Sequence, residues 1–126
     1  MNNKIIVAII VVLLIAGGLI ALPNFKTSTP TTNYDTFTTC LKDAGAIFYG
    51  AFWCPHCQNQ KKLFGSSEKL LPYVECSTPD GNSQTQICID KKITGYPTWE
   101  FQDGSRLTGE IPLAQLAEKT SCVLPQ

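Results

Sequence analysis

The stretch Ala46–Cys57, "AIFYGAFWCPHC", decides the fold because it joins a buried strand to a cysteine pair. Its first part, Ala46–Phe52, is a continuous apolar run, which is typical of a strand buried on both faces of a parallel or mixed sheet. A helix is predicted to begin near Cys54, with Pro55 in its first turn, where proline is tolerated. The sequence therefore predicts a strand that leads directly into a helix at the cysteine pair.

The segments on either side predict an alternation of helices and strands. A first helix over 34–44 is indicated by apolar or small residues at helical spacing, and Gly45 would end it. The central helix should run through Leu63 and Phe64. The other predicted elements are a helical piece over 67–71 ended by a proline, strand 73–76, turn 79–82, helix 84–92, turn 95–97, strands 98–101 and 106–108, and helix 112–120. This order predicts one α/β domain with a central mixed sheet flanked by helices.

The amino terminus predicts a membrane anchor. Ile5–Leu22 is eighteen residues without a charged or polar side chain, long enough for a spanning helix. We therefore expect an anchor over 1–24, a Thr-rich linker over 25–33 and a domain over 34–126. The alternative is a cleaved signal peptide with its small residues at 16–18. Either interpretation places the domain on the extracytoplasmic side.

Composition narrows the class of protein. Six cysteines among 126 residues favour disulfides, which persist outside the cytosol. From residue 27 onward, eight Lys and Arg face ten Asp and Glu, so the exported part carries a charge of −2. This balance argues against a nucleic-acid-binding protein, which would show a basic patch. No cofactor is indicated.

The spacing of Cys54 and Cys57 predicts redox chemistry. Unpaired N–H groups at a helix start carry partial positive charge and would favour the thiolate form of Cys54. Pro55 fixes the first turn, and His56 would add further stabilisation to that thiolate. A three-residue step brings Cys57 within disulfide reach, so we expect Cys54 to be the exposed attacking sulfur and Cys57 the resolving one. Greater thiolate stabilisation makes the disulfide form a stronger oxidant.

The cysteine pair has two other interpretations, a metal site and a structural disulfide. Half of a zinc site would need a second ligand pair at similar spacing, whereas Cys76 and Cys88 are separated by eleven residues and the only histidine lies inside the motif. We therefore expect no metal site. A purely structural Cys54–Cys57 disulfide would close too small a loop to stabilise the fold much.

The two motifs "AIFYGAFWCPHC" and, forty residues later, "GYPT" resemble the strand, cysteine pair and active-site proline loop of the thioredoxin superfamily. The resemblance spans about residues 34–121. More closely, "GAFWCPHCQNQKKLFG", "YVEC" and "GYPTWEF" resemble the thioredoxin-like domain attached to bacterial vitamin K epoxide reductase homologues. Those membrane enzymes pass electrons from such a domain to quinone. The resemblance implies thiol–disulfide exchange with a membrane partner.

The resemblance also implies roles for individual residues. Cys54 matches the nucleophile, Cys57 the resolving thiol and Pro97 the cis-proline. The backbone of Tyr96 would then be free to pair with an extended substrate strand beside Cys54. Trp53 would flank the active sulfur. The alternatives are an ordinary turn proline at 97 and a core aromatic at 53.

One position departs from the resemblance. Many thioredoxins carry a buried acid on the strand six residues before the first cysteine, and Phe48 occupies that position here. We expect the proton relay that helps the resolving cysteine to be missing or to be supplied elsewhere, for example by Glu75 or Glu100.

The other four cysteines allow three pairings. Cys76 ends a predicted strand and Cys88 lies in the following helix across a turn-rich segment, and the resemblance also suggests the pair Cys76–Cys88. Cys40 on the first helix and Cys122 just past the last would then connect the two ends of the domain. A second redox relay through Cys76 and Cys88 is the functional alternative.

The favoured interpretation is an anchored extracytoplasmic oxidoreductase that exchanges disulfides with protein thiols and is reoxidised by a quinone-linked membrane partner. The alternatives are a reductase or isomerase fed by a membrane electron donor, a non-catalytic disulfide-stapled binding module, and a copper or zinc carrier.

Overall fold

A computed structural model describes residues 32–126 of the chain. The predicted spanning helix Ile5–Leu22 and nearly all of the predicted linker lie outside the described residues. Within residues 32–126, no helix has the length and apolar character needed to cross a bilayer.

Four strands form one mixed sheet in the order β2–β1–β3–β4. The strands are β1 Ile47–Gly50, β2 Tyr73–Glu75, β3 Thr98–Glu100 and β4 Arg106–Thr108. β1 pairs in parallel with β2 and antiparallel with β3, and β3 is antiparallel to β4. β1 is therefore a central strand, which is why its sequence is apolar throughout.

Helices cover both faces of the sheet. They are α1 Asp35–Asp43, α2 Pro55–Lys62, a 3-10 helix Gly65–Leu70, α3 Gln86–Asp90 and α4 Leu113–Thr120. Gly45 follows α1 with a φ of +75°, a conformation that favours glycine and ends the helix. The prediction of an α/β domain with a mixed sheet flanked by helices is confirmed, with element bounds that differ by no more than two residues.

The alternation of β1 side chains divides the core into two layers. Phe48 points to the side of α1, α2 and α4, where it stacks on Trp99 with ring centroids 4.9 Å apart. Tyr49 points to the other side and packs with Cys76, Cys88 and Ile93. The carboxyl end of β1 consequently delivers the cysteine pair to the edge of the larger layer.

Candidate redox site

Cys54 is the residue that caps the amino terminus of α2. Its backbone is extended, with φ −79° and ψ 117°, and its Sγ accepts a hydrogen bond from the N–H of Cys57 at 3.3 Å. Pro55 occupies the first helical turn, where a backbone N–H has no partner within the helix, so the missing N–H of proline costs no hydrogen bond. The sulfur therefore lies on the positive end of the helix dipole, in reach of the second cysteine. Both cysteines are free thiols.

Burial of the two sulfurs differs from the expectation. Cys54 retains only 5% of its accessible surface and Cys57 retains none, so the prediction of an exposed attacking sulfur is wrong. The reason is tertiary, because the Cys54 thiol lies between the start of α2 and the carbonyl oxygen of Tyr96, to which it donates at 3.8 Å. Burial, together with a hydrogen bond to Cys54, raises the pKa of Cys57 to about 12.

The Tyr96–Pro97 peptide bond is cis and lies beside the cysteine pair. The Tyr96 carbonyl accepts the Cys54 thiol, while its side-chain hydroxyl accepts a hydrogen bond from Gln84 Nε2 at 2.6 Å. Gln84 also donates to the main chain of Ile93 at 2.9 Å. The segment between the two cysteines of the Cys76–Cys88 disulfide thus fixes this side of the site.

Trp53 lies on the surface next to Cys54, with 53% of its area exposed. Its indole Nε1 donates to Ser77 Oγ at 2.8 Å, and its ring meets that of Tyr96 edge-on with centroids 6.0 Å apart. Phe52 is 47% exposed and extends the aromatic surface. The sequence did not predict that Ser77 and Gln84 bond the side chains of Trp53 and Tyr96. A single Ser or Gln belongs to no motif that would indicate such a role.

His56 does not bind the sulfur of Cys54. Its Nδ1 lies 2.6 Å from Glu110 Oε1, which also accepts a hydrogen bond from Asn59 at 3.1 Å. The hydrogen bond from His56, supported by Asn59, lowers the pKa of Glu110. The expectation that the His56 ring acts directly on the thiolate is therefore corrected: a carboxylate 54 residues away in the chain holds the ring.

The two acids named as possible relays lie on opposite faces of the sheet. Glu100 pairs in register with Ile47 and is ion-paired with Arg106 and Lys91, away from the cysteine pair. Glu75 pairs with Gly50 on the strand that ends at the site. Its Oε1 accepts from the backbone N–H groups of Phe52 and Ser77 at 3.2 and 2.8 Å.

The other four cysteines form two disulfides. Cys40 on α1 is bonded to Cys122 after α4, and Cys76 after β2 is bonded to Cys88 on α3. Cys76 and Cys88 are fully buried. Within the described residues, no group of three or more His, Cys, Asp or Glu side chains is arranged to hold a metal ion.

Comparison with known proteins relates the chain to thiol redox proteins, although no protein-family model matches it. It is 46% identical over 118 residues to Thiol-disulfide oxidoreductase LTO1 of Arabidopsis thaliana, covering 87% of this chain and 31% of that protein. It is 29% identical over 86 residues to Thioredoxin domain-containing protein 5 homolog of Drosophila melanogaster, covering 60% of this chain and 20% of that protein. The chain thus spans less than a third of either relative. Over most of its own length it is similar to a thiol-disulfide oxidoreductase, and both similarities support the thioredoxin superfamily.

Proposed function

We propose that this protein is a membrane-anchored extracytoplasmic thiol–disulfide oxidoreductase that exchanges disulfides with protein thiols through Cys54 and Cys57. The observation that carries the proposal is the position of Cys54 Sγ at the α2 amino terminus, 3.3 Å from the N–H of Cys57. The other four cysteines are closed in disulfides, so these two are the thiols that remain for chemistry. The similarity to the Arabidopsis oxidoreductase supports this assignment.

The exchange begins when a substrate thiolate attacks Cys54 Sγ of the oxidised protein. The Cys54–Cys57 bond breaks, Cys57 leaves as a thiolate that takes up a proton, and a substrate–Cys54 mixed disulfide forms. A second substrate thiolate then attacks the substrate sulfur and displaces Cys54. The substrate dithiol is oxidised to a disulfide, and the protein disulfide is reduced to two thiols.

Trapping of the mixed disulfide tests this proposal. In a Cys57→Ser variant, the Cys54 thiolate attacks a disulfide of the substrate and displaces one substrate sulfur as a thiolate. Because the resolving thiol is absent, the resulting substrate–Cys54 adducts should accumulate and disappear on treatment with dithiothreitol. A Cys54→Ser variant is the matched control and should give no adducts. Absence of reducible adducts on the Cys57→Ser protein would show that exchange chemistry is not the function.

The proposed direction of electron flow is oxidation of the substrate, followed by reoxidation by a quinone-linked membrane enzyme of the vitamin K epoxide reductase type. The sequence resemblance of "GAFWCPHCQNQKKLFG", "YVEC" and "GYPTWEF" supports this partner. The apolar run Ile5–Leu22 supports anchoring in the same membrane. A reduction potential of about −120 mV would support an oxidase, and one of about −270 mV would support a reductase or isomerase fed by a membrane electron donor.

A second candidate function is a non-catalytic binding module. The burial of Cys54 and the exposure of Phe52 and Trp53 favour it, since the aromatic pair could contact a partner without any thiol chemistry. Alkylation of Cys54 as a function of pH separates the two functions. Exchange chemistry predicts reaction below about pH 7, as for activated thiols, and a binding module predicts reaction only above it.

A further inference from the structure

The segment around Glu110 is held between helix α2 and the loop of the cis-proline. On one side, the Gly109 N–H donates to the carbonyl oxygen of Pro97 at 2.9 Å. On the other side, the buried side-chain amide of Gln60 accepts from the Ile111 N–H at 2.6 Å and donates to the Ile111 carbonyl at 3.0 Å. Residue 110 therefore has a fixed place next to the first turns of α2, at the edge of the redox site.

The carboxylate of Glu110 binds two side chains of α2. Its Oε1 accepts from Asn59 Nδ2 at 3.1 Å and lies 2.6 Å from His56 Nδ1. His56 and Asn59 are three residues apart, so they share one face of the helix. The bond from His56, supported by Asn59, lowers the pKa of Glu110, so the carboxylate is charged at neutral pH. A protonated His56 consequently forms an ion pair with this carboxylate.

The direction of the His56 ring depends on this carboxylate. The side chain of His56 keeps 68% of its accessible surface, so packing does not fix the ring. Within residues 32–126, Glu110 is the one side chain that bonds the ring. Without the carboxylate, the ring would be free to turn toward other groups at the start of α2.

The His56 ring is not bonded to the sulfur of Cys54 in the described domain. In the reduced protein, Cys54 Sγ accepts from the Cys57 N–H at 3.3 Å and lies 3.8 Å from the carbonyl oxygen of Tyr96. His56 is two residues after Cys54 at the same helix start, so an imidazolium at this position has two anions in competition for it. They are the Cys54 thiolate and the Glu110 carboxylate, and the ring lies on the carboxylate.

We propose that Glu110 is a positioning residue that limits the oxidising power of the Cys54–Cys57 pair by holding the His56 ring, a role that rests on the exchange function proposed above. Held by the carboxylate, the positive ring stabilises the Cys54 thiolate less than a released ring would. A less stabilised thiolate makes the dithiol form less stable, so the disulfide form is a weaker oxidant. Glu110 acts through His56, because its hydrogen bonds go to His56 and Asn59 rather than to a sulfur.

An effect of Glu110 on the cysteine pair has two other possible causes. The carboxylate could repel the thiolate directly, or its removal could loosen the loop that carries it. Either cause would act with or without an imidazole at position 56, whereas the proposed role requires His56. A double-mutant cycle of Glu110→Ala and His56→Ala separates these causes, since it measures how far the effect of one substitution depends on the other.

The quantity to be measured is the equilibrium constant for reduction of the full-length protein by glutathione. In this reaction two glutathione thiols are oxidised to one glutathione disulfide, and the Cys54–Cys57 disulfide is reduced to two thiols. Each protein is equilibrated with different ratios of reduced to oxidised glutathione at about pH 6, where histidine in model peptides is mostly protonated. The free thiols are then alkylated, and mass spectrometry counts the alkylated Cys54 and Cys57.

Glu110→Ala should raise this equilibrium constant by about fivefold, the upper end of the effects of exposed charge pairs. This factor corresponds to a reduction potential that is less negative by about 21 mV. In the His56→Ala background, the same substitution should change the constant by less than about twofold. Glu118→Ala, which removes an exposed carboxylate from α4 instead, is the matched control and should leave the constant unchanged.

An equal change in the two backgrounds would refute the role of Glu110, because it would show that the carboxylate acts directly on the thiolate or through its loop. An unchanged or lowered constant for Glu110→Ala in the wild-type background would refute this role as well. If the Cys54–Cys57 pair of the wild-type protein does not equilibrate with glutathione, the exchange function itself is refuted together with the role of Glu110.

Discussion

Replacement of Gly50 by alanine tests the packing beneath the cysteine pair. The residue lies in β1 with ordinary strand geometry, so alanine meets no backbone restriction. The added methyl carbon would lie 2.9 Å from Tyr73 Cε2 and 3.0 Å from Cys57 Sγ, well inside normal van der Waals contact. β1 is bonded to strands on both sides, so it cannot move to relieve these contacts.

Overpacking of a close-packed interior costs about 1–3 kcal/mol. Loss of glycine freedom in the unfolded chain offsets about 0.4–1 kcal/mol of this. We expect a net loss of about 1–2 kcal/mol, which lowers the melting temperature of a domain of this size by roughly 4–8 °C per kcal/mol. The tyrosine ring or the sulfur must also shift, so attack by Cys57 on a mixed disulfide at Cys54 should slow.

Urea unfolding followed by tryptophan fluorescence measures the stability term. Gly95→Ala is the matched control, because its added carbon meets Thr108 Cγ2 at 3.7 Å, an ordinary contact, and its stability should change little. If Gly50→Ala is as stable as wild type and resolves mixed disulfides at the wild-type rate, the close approach of Tyr73 and Cys57 is refuted.

Three further predictions concern stability. Removal of the Cys40–Cys122 disulfide, which spans 82 residues, should lower the free energy of unfolding by roughly 4.5 kcal/mol. Removal of Cys76–Cys88, which spans 12 residues, should lower it by roughly 2.8 kcal/mol. Equal losses in urea titrations would contradict the chain-entropy explanation. The buried side-chain amide of Gln60 donates to the carbonyl of Ile111 and accepts from its N–H. Gln60→Leu should therefore lower the free energy of unfolding by about 1–3 kcal/mol for each of these two main-chain groups that loses its partner. An unchanged free energy in urea unfolding would argue against this. Burial alone would raise the pKa of Glu100, but the bonds from Arg106 and Lys91 lower this pKa in the folded protein. The stability that Glu100 contributes is therefore present above its unfolded-state pKa and is lost as the pH falls through its folded-state pKa. Glu100→Gln should make acid unfolding less steep, and an unchanged pH profile of stability would contradict this.

Much of the fold follows from local pattern. The apolar run at β1, the proline after Cys54 and Gly45 after α1 act within one or two turns of chain, so strand, helix start and helix end can be assigned without tertiary information. The alternation of these elements then predicts a mixed sheet, since few layer arrangements bury all their apolar faces.

The site could be predicted only in part, for a physical reason. The spacing of Cys54 and Cys57 places the two sulfurs together because three residues make almost one helical turn. His56 contacts Glu110 and Cys54 contacts Tyr96, and both partners are far away in the sequence. Local sequence patterns do not predict such long-range contacts. This is why the direct action of His56 on the sulfur and the exposure of Cys54 were predicted wrongly.

By itself, the sequence determined that a strand ends at a dithiol on a helix start, because short-range periodicity, proline and glycine act locally. Only the tertiary structure decided which charged groups face that dithiol. The faces of Glu75 and Glu100 depend on the register of β2 and β3 against β1, and a shift of one residue would exchange them. Register is settled by packing of the whole core, so the surroundings of Cys57 are a property of the folded domain.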